Sequence, residues 1–439
     1  MQDSMRIAVI GSGISGLGAA WALSKRHQVV LYEKAQRAGG HAHTSDIDYD
    51  GTRIAVDTGF IVYNETNYPN LVRLFAALGV ETQTSDMSFG VSLDGGRLEW
   101  SGDRVGTLFA QKRNIFRPSH HAMWMDILRF NRMAPADLLN GSLEGLSLGA
   151  YLDRRRLGSA FRDRYLLPMA AAIWSTPNAG MLDFPANAFI AFFDNHRLLA
   201  GFDTLTWRTV TGGSRSYVER LLADFGGELR LGCGAARVRR HETHVDVVGS
   251  DGSSERFDHV VFAAHADEAL AALEDPDSME AELLGAIRYT PNVAVLHRDT
   301  AFMPRRQKVW SSWNYLGDTR GPDVAAVSLS YWMNRLQGID HRFPLFVTLN
   351  PADEPAADKV FARFTYEHPR FDLTAQASQQ ALQAVQGTRR TWYCGAWRGY
   401  GFHEDGLASG LEVAARLGAP APWGALGPAR GFTTALAAE

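Results

Sequence analysis

Three glycines open the chemistry of this sequence. Gly11-x-Gly13-x-x-Gly16 stands directly after the β-rich run Arg6 to Ile10 and at the start of a helical pattern that runs through Leu23. With that spacing Gly11 permits a tight turn, Gly13 lets backbone approach a pyrophosphate, and Gly16 lets helix and strand pack closely. The helix N-terminus then offers its free N–H groups to an anion. Ala20 is a further small residue one turn on. Glu33 ends the next apolar run, Val29 to Tyr32, where a carboxylate can accept hydrogen bonds from ribose hydroxyls. The chemistry indicated is dinucleotide binding, by FAD or NAD, with a ligand-free Gly turn as the bland alternative.

Two further stretches carry the same kind of signal. Arg37-Ala38-Gly39-Gly40-His41-Ala42-His43-Thr44 sets two glycines beside a cation, where backbone can approach an anion, and Val56-Asp57-Thr58-Gly59-Phe60 follows it. Far downstream, Cys394-Gly395-Ala396-Trp397-Arg398-Gly399-Tyr400-Gly401-Phe402-His403-Glu404-Asp405-Gly406 leads into a helix containing Ser409-Gly410. These stretches, in this order, resemble the flavin-containing amine oxidase superfamily, which includes monoamine oxidases, phytoene desaturases and protoporphyrinogen oxidase. The resemblance covers nearly the whole chain. It implies bound FAD, with Arg37 near the phosphates and the last helix aiming its N-terminus at the flavin's pyrimidine end. The cofactor-binding set it implies is Gly11, Gly13, Ile14, Ser15, Gly16, Glu33, Lys34, Arg37, Gly39, Gly40, His41, Thr44, Gly59, Phe60, Val238, Gly395, Glu404, Asp405 and Gly406. Monoamine oxidases attach flavin through a Cys upstream of the closing motif. No Cys lies between Cys233 and Cys394 here, so non-covalent FAD is expected.

The substrate is read from differences within the superfamily. Amine oxidases carry a Lys on a substrate-domain strand near flavin N5, and the matching run Pro291 to His297 has none, although His297 stands near that place. Phe402 takes the position of an aromatic in the closing motif, without a tyrosine hydroxyl. Other strings are similar to a bacterial branch of NAD/FAD-binding flavoproteins associated with fatty acid modification, furan fatty acid desaturase-like. They are Leu167-Pro168-Met169, Ile173-Trp174-Ser175, Asn195-His196, Trp207 to Val210, Gly212-Gly213-Ser214, Leu296-His297, Met303-Pro304, Trp310 to Tyr315 and Gly401 to Gly406. The resemblance implies a lipid or fatty acyl substrate, losing hydride to flavin N5 as a double bond is introduced or rearranged. A flavin-dependent amine oxidase is the runner-up, and a non-catalytic lipid-binding relative of the same fold is the alternative from another class. His403, Glu404, Tyr400 and His297 are the candidate catalytic residues. Trp174, Phe193, His196, Trp397 and Phe402 are candidates for the pocket, expected to be long and apolar. His41 with His43, and His120 with His121, lack a carboxylate or Cys to complete a ligand set, so no metal is expected.

The elements that must position these residues follow from pattern. Short strands are expected at Glu228 to Leu231, Ala236 to Arg239, Val245 to Val248, His259 to Ala263 and Thr391 to Cys394, and a helix at Leu407 to Leu417. The fold class is α/β: a discontinuous Rossmann-like FAD-binding domain (1–66, 207–286, 387–418) and an inserted substrate domain of mixed sheet and helices (67–206, 287–386). A tail, 419–439, is expected to be weakly ordered. The net charge of −4 gives no basis for nucleic-acid binding. Two distant cysteines argue against a disulfide framework, and no secretory leader or membrane span is evident, so a cytoplasmic place is expected. The run Gln111 to Arg117 mixes cations with apolar residues, as a peripheral membrane contact would, against the alternative of a solvated loop.

Overall fold

A computed structural model describes residues 4–174, 178–199, 205–317 and 328–423. Its organising layer is a five-stranded parallel sheet, in the order Glu228–Arg230, Gln28–Tyr32, Arg6–Ile10, His259–Phe262, Thr391–Tyr393. Apart from the edge strand Glu228–Arg230, the apolar runs in these strands are buried on both faces, as parallel strands between helical layers require. Every residue of the first helix, Ile14–Leu23, is buried. The closing helix, His403–Arg416, crosses it so closely that a Cβ on Gly410 would lie 2.1 Å from the Ser15 carbonyl oxygen. That helix starts at His403, four residues before the start expected from pattern.

A seven-stranded mixed sheet forms the second body, ordered Val360–Pro369, Tyr289–His297, Phe346–Leu349, Ser328–Trp332, Trp313–Gly317, Phe89–Leu93, Leu98–Ser101. Trp313–Gly317 pairs parallel with Phe89–Leu93, and the other neighbours are antiparallel. Helices Pro118–Leu139, Leu167–Trp174 and Ala186–Asn195 join it in one apolar cluster that includes Phe130, Phe161, Phe189 and Phe193. The fold is a Rossmann-like cofactor domain with a mixed substrate domain. Among the described residues, no helix is long and apolar enough to cross a membrane. The tail is packed as far as Trp423, which stacks on Trp21 with ring centroids 5.8 Å apart. Its remainder, like Ser175, lies outside the described residues.

Candidate active site

The Gly11 to Gly16 loop is shaped by contacts between backbones. Gly11 has φ +98°, and its N–H donates to the Tyr32 carbonyl at 2.8 Å. A Cβ on Gly16 would lie 1.8 Å from the Gly11 oxygen, whereas one on Gly13 would meet no protein atom within 4 Å. Helix Ile14–Leu23 has no side-chain cap and no acid in its first turn. A buried helix N-terminus with no cap is a site for an anion. The second glycine pair closes on the first loop. Gly39 N–H donates to the Ser12 carbonyl at 3.0 Å, and Arg37 braces the turn by donating to the Gly40 carbonyl at 2.9 Å. Glu33 accepts from Ser12 N–H (2.9 Å), Ser12 Oγ (2.6 Å) and Ala35 N–H (2.8 Å). A carboxylate offers about four acceptor positions, which leaves one for a ribose hydroxyl. Lys34 points away to an ion pair with Glu268.

The segment after Gly40 runs against Gly59, where a Cβ would be 2.2 Å from the His41 carbonyl oxygen, and Phe60 N–H donates to that oxygen at 2.7 Å. The hydroxyl of Thr44, a member of the expected cofactor-binding set, donates to Asp57 Oδ1 at 2.6 Å. Asp57 also accepts from the Ser214 hydroxyl (2.7 Å) and amide (2.9 Å) and from Gln337 Nε2 (3.1 Å). The motifs at 57–59 and 212–214 therefore meet in one buried network, whose desolvation pushes Asp57 up to about 6.

A group of rings that the sequence reading missed gathers around His41. Its Nε2 is buried without a partner, with Tyr366 at 5.1 Å and His368 at 5.3 Å between ring centroids. The Tyr366 hydroxyl lies 2.8 Å from His43 Nδ1 and 2.7 Å from Thr58 Oγ1. Asn292 Nδ2 donates to His368 Nδ1 at 2.9 Å. Desolvation lowers His43 and His368 to about 4 and takes His41 well below its ordinary value, so all three rings are neutral at pH 7. The legible signal was alternation: Phe364, Tyr366 and His368 share one face of the Val360–Pro369 strand.

The closing motif corrects several expectations. Glu404, expected as a base and as a flavin contact, caps another helix. Its carboxylate accepts from Asn70 N–H (2.9 Å), Asn70 Nδ2 (2.7 Å) and Leu71 N–H (3.0 Å) at the start of Pro69–Leu78. Asp405 turns back to the Tyr400 (3.0 Å) and Phe402 (2.9 Å) amides, and burial pushes it up to about 7. His403 stacks flat on Phe60 at 3.8 Å with its Nε2 2.9 Å from the Tyr217 hydroxyl, and burial lowers it to about 3. Gly395 N–H is taken by Ser409 Oγ at 2.9 Å. Gly406 gives room to Ile14 and Ser15, each of which a Cβ would approach to 2.9 Å. Trp397 belongs to the core beside the parallel sheet, donating to the Ala264 carbonyl at 3.2 Å, and is not a pocket wall. Val238 is wholly buried in the same cluster, and its carbonyl accepts from Glu274 N–H at 3.1 Å.

His297 is also corrected. It is fully buried, 2.7 Å from Thr348 Oγ1, and its Nδ1 accepts from Asp299 N–H at 3.0 Å. It lies five residues along its strand from Asn292, the residue in register with Tyr366, which is about 17 Å at a strand rise of ~3.3 Å per residue. It is a core histidine, far from His41 and its neighbours.

An aromatic pocket lies across the closing motif. Phe192 stacks on His196 at 3.8 Å and on Phe402 at 5.0 Å, with Tyr400 at 5.9 Å, and Trp207 lies 6.4 Å from His196. Phe193, expected here, points one helical step away into the core against Phe189, and Phe192 takes its place. Trp174 backs the wall 4.7 Å from Phe192. The cavity bounded by Phe192, His196, Tyr400 and Phe402, and also by Asn67, Tyr68, Pro69, Asn195, Ala408 and the acids Glu404 and Asp405, is about 40 Å³, small beside the long channel expected. A larger one, about 270 Å³, opens behind Phe184 and Phe371 at Arg288 and Arg370.

Taken together, the uncapped buried helix, the open space before Gly13 and the bare His41 Nε2 fit a dinucleotide. Residues 14–354 match the family model for flavin containing amine oxidoreductase, and the chain belongs to that family: it is a flavin-dependent oxidoreductase. Comparison with curated protein sequences returns no match. Solved structures with the same fold include a CLA-producing fatty acid isomerase from P. acnes (TM-score 0.69, 15% identity, 95% of this chain and 99% of that one). A putrescine oxidase bound to putrescine is similar (0.67, 15%, 94% and 99%), as is cyclohexylamine oxidase from Brevibacterium oxydans IH-35A (0.64, 15%, 94% and 98%).

Proposed function

We propose that this flavoenzyme holds FAD non-covalently and acts on a fatty acyl chain or related lipid, introducing or rearranging a double bond. The observation that carries the reading is the stack of aromatic rings that walls the pocket at the closing motif. Phe192 stacks on Phe402 and on His196, with Tyr400 5.9 Å from Phe192, so most of the wall is ring; Glu404 and Asp405 also line the cavity, and their carboxylates hydrogen-bond to Asn70, Leu71, Tyr400 and Phe402. Each methylene buried against such a wall contributes about 0.8 kcal/mol. The fold shared with a fatty acid isomerase supports the reading, and the fold shared with amine oxidases keeps the runner-up in view.

In this reading the helix Ile14–Leu23 and Gly13 hold the pyrophosphate, Glu33 a ribose hydroxyl, and His41 Nε2 a further polar atom of the cofactor. Bound flavin supplies the hydride acceptor at N5. Phe192 and Phe402 orient the chain and exclude water. His196 stacks on Phe192 at 3.8 Å in the pocket wall, and we assign this imidazole the substrate proton. We place the cofactor domain at 1–66, 207–286 and 387–418 and the substrate domain at 67–206 and 287–386. Anaerobic mixing with unsaturated or methyl-branched fatty acids should shift or bleach the flavin spectrum, and Phe402→Asp should weaken that response by placing a charge in an apolar wall. Rapid bleaching by polyamines or cyclohexylamine, with no response to any acyl chain, would replace this reading with the amine oxidase one.

A further inference from the structure

The 22-residue helix Pro118–Leu139 turns Met123, Ile127, Phe130 and Ala134 into the substrate-domain core. At 100° per residue its opposite side collects Ala122, Met125, Leu128, Arg129, Arg132, Ala136 and Leu139, all exposed. Met125 is 64% exposed, Leu128 70% and Leu139 88%, and in the turn just before the helix Ile115 is 47% and Phe116 84% exposed. Among the described residues, nine large apolar side chains are exposed, and these five fall within 115–139. Single exposed apolar residues are ordinary, but a cluster of this kind marks a contact surface.

The same surface is basic. Lys112, Arg113, Arg129 and Arg132 are exposed and Arg117 partly so, while no exposed Asp or Glu occurs from 112 to 140. The two acids of that stretch are buried. Asp126 accepts from Arg129 and the Gly158 amide, and Asp137 from Arg155 and Tyr151. The chain as a whole is acidic, at −4, so the positive charge is local to this face. A second copy of the same face would bring like charges together.

We infer that this face docks on an anionic lipid bilayer, with Phe116, Met125 and Leu128 at the acyl boundary and the cations among the headgroups. The inference deepens the lipid-substrate reading and rests on it for its purpose. Behind the face, Phe130 packs on Phe193 at 6.4 Å, in the same apolar cluster as Trp174 and Phe192 at the pocket.

The test is co-sedimentation of the flavin-loaded protein with phosphatidylcholine vesicles, with and without phosphatidylglycerol. Wild type should bind the phosphatidylglycerol vesicles and be released by salt. The double variant Phe116→Glu, Leu128→Glu should lose about tenfold in partitioning, with flavin content and melting temperature unchanged because both side chains are exposed. Equal binding by wild type and variant, or no wild-type binding, would overturn the inference. So would a wild-type dimer in sedimentation velocity that the variant dissolves, since the face would then belong to a second copy. Flavin bleaching by a soluble short acyl chain, measured without vesicles, separates the two readings. Vesicle binding with no bleaching removes the substrate proposal alone, and bleaching with no vesicle binding removes the docking proposal alone.

Discussion

The dinucleotide cradle and the aromatic pocket are built to different tolerances. In the cradle the close contacts are backbone to backbone, at Gly16 against Gly11, Gly59 against His41 and Gly410 against Ser15, where no side chain can give way. In the pocket the contacts are ring to ring, from Phe192 to His196, Phe402 and Trp174, and a ring can be exchanged for another of similar volume. A cradle of the first kind constrains residue identity at fixed spacing. A wall of the second kind constrains only size and polarity.

The sharpest test of that contrast lies within one loop. Gly16→Val should destabilise the protein by about 3 kcal/mol or more, because the added atoms collide with fixed backbone. Gly13→Val should leave the melting temperature of the flavin-free protein almost unchanged yet abolish flavin retention, read as absorbance near 450 nm per mole of protein, since its Cβ meets only open space. If both variants unfold alike, or if Gly13→Val stays yellow, the cradle is wrongly placed. Acid or heat should release the flavin from wild type, because Cys233 and Cys394 are both buried and neither lies where the superfamily's attachment implies.

Glu404→Ala should cost about 2 kcal/mol in chemical denaturation by leaving the Asn70 and Leu71 N–H groups without their acceptor. The pH–rate profile should keep its shape, whereas a catalytic base at Glu404 would change it.

A pH-dependent effect, absent at neutral pH, separates His297 from the site. Desolvation lowers it to about 4, so the folded state keeps it neutral while the unfolded chain protonates it below its ordinary value of 6.5. Stability is therefore unaffected above pH 6.5 and is lost as pH falls from 6.5 towards 4. That loss amounts to about 1.4 kcal/mol per pH unit for this one group. His297→Gln should flatten the acid limb of stability against pH by that slope and leave flavin reduction unchanged. An unaltered slope, or lost activity in a stable variant, would return His297 to the site.

What could be read from residues alone follows the same division. Strands such as Arg6 to Ile10 and His259 to Phe262 were legible because burial on both faces demands an unbroken apolar run, and the glycine spacing was legible because backbone approach admits no substitute. The roles of Glu404, Asp405 and Thr44 were not. A carboxylate beside a predicted flavin motif looks like a flavin contact until Asn70 and Leu71, more than three hundred positions away, are seen donating to it. Phe193 and Phe192 are equal as letters, and the 100° step of one helix sends the first to the core and the second to the pocket. Local backbone geometry, which depends on short spacings, was thus determined by the sequence itself. The partners of each polar side chain, and the ring cluster of His41, Tyr366 and His368, were decided by tertiary structure, because only the packing of distant strands sets which groups are desolvated together and which hydrogen bonds remain to be made.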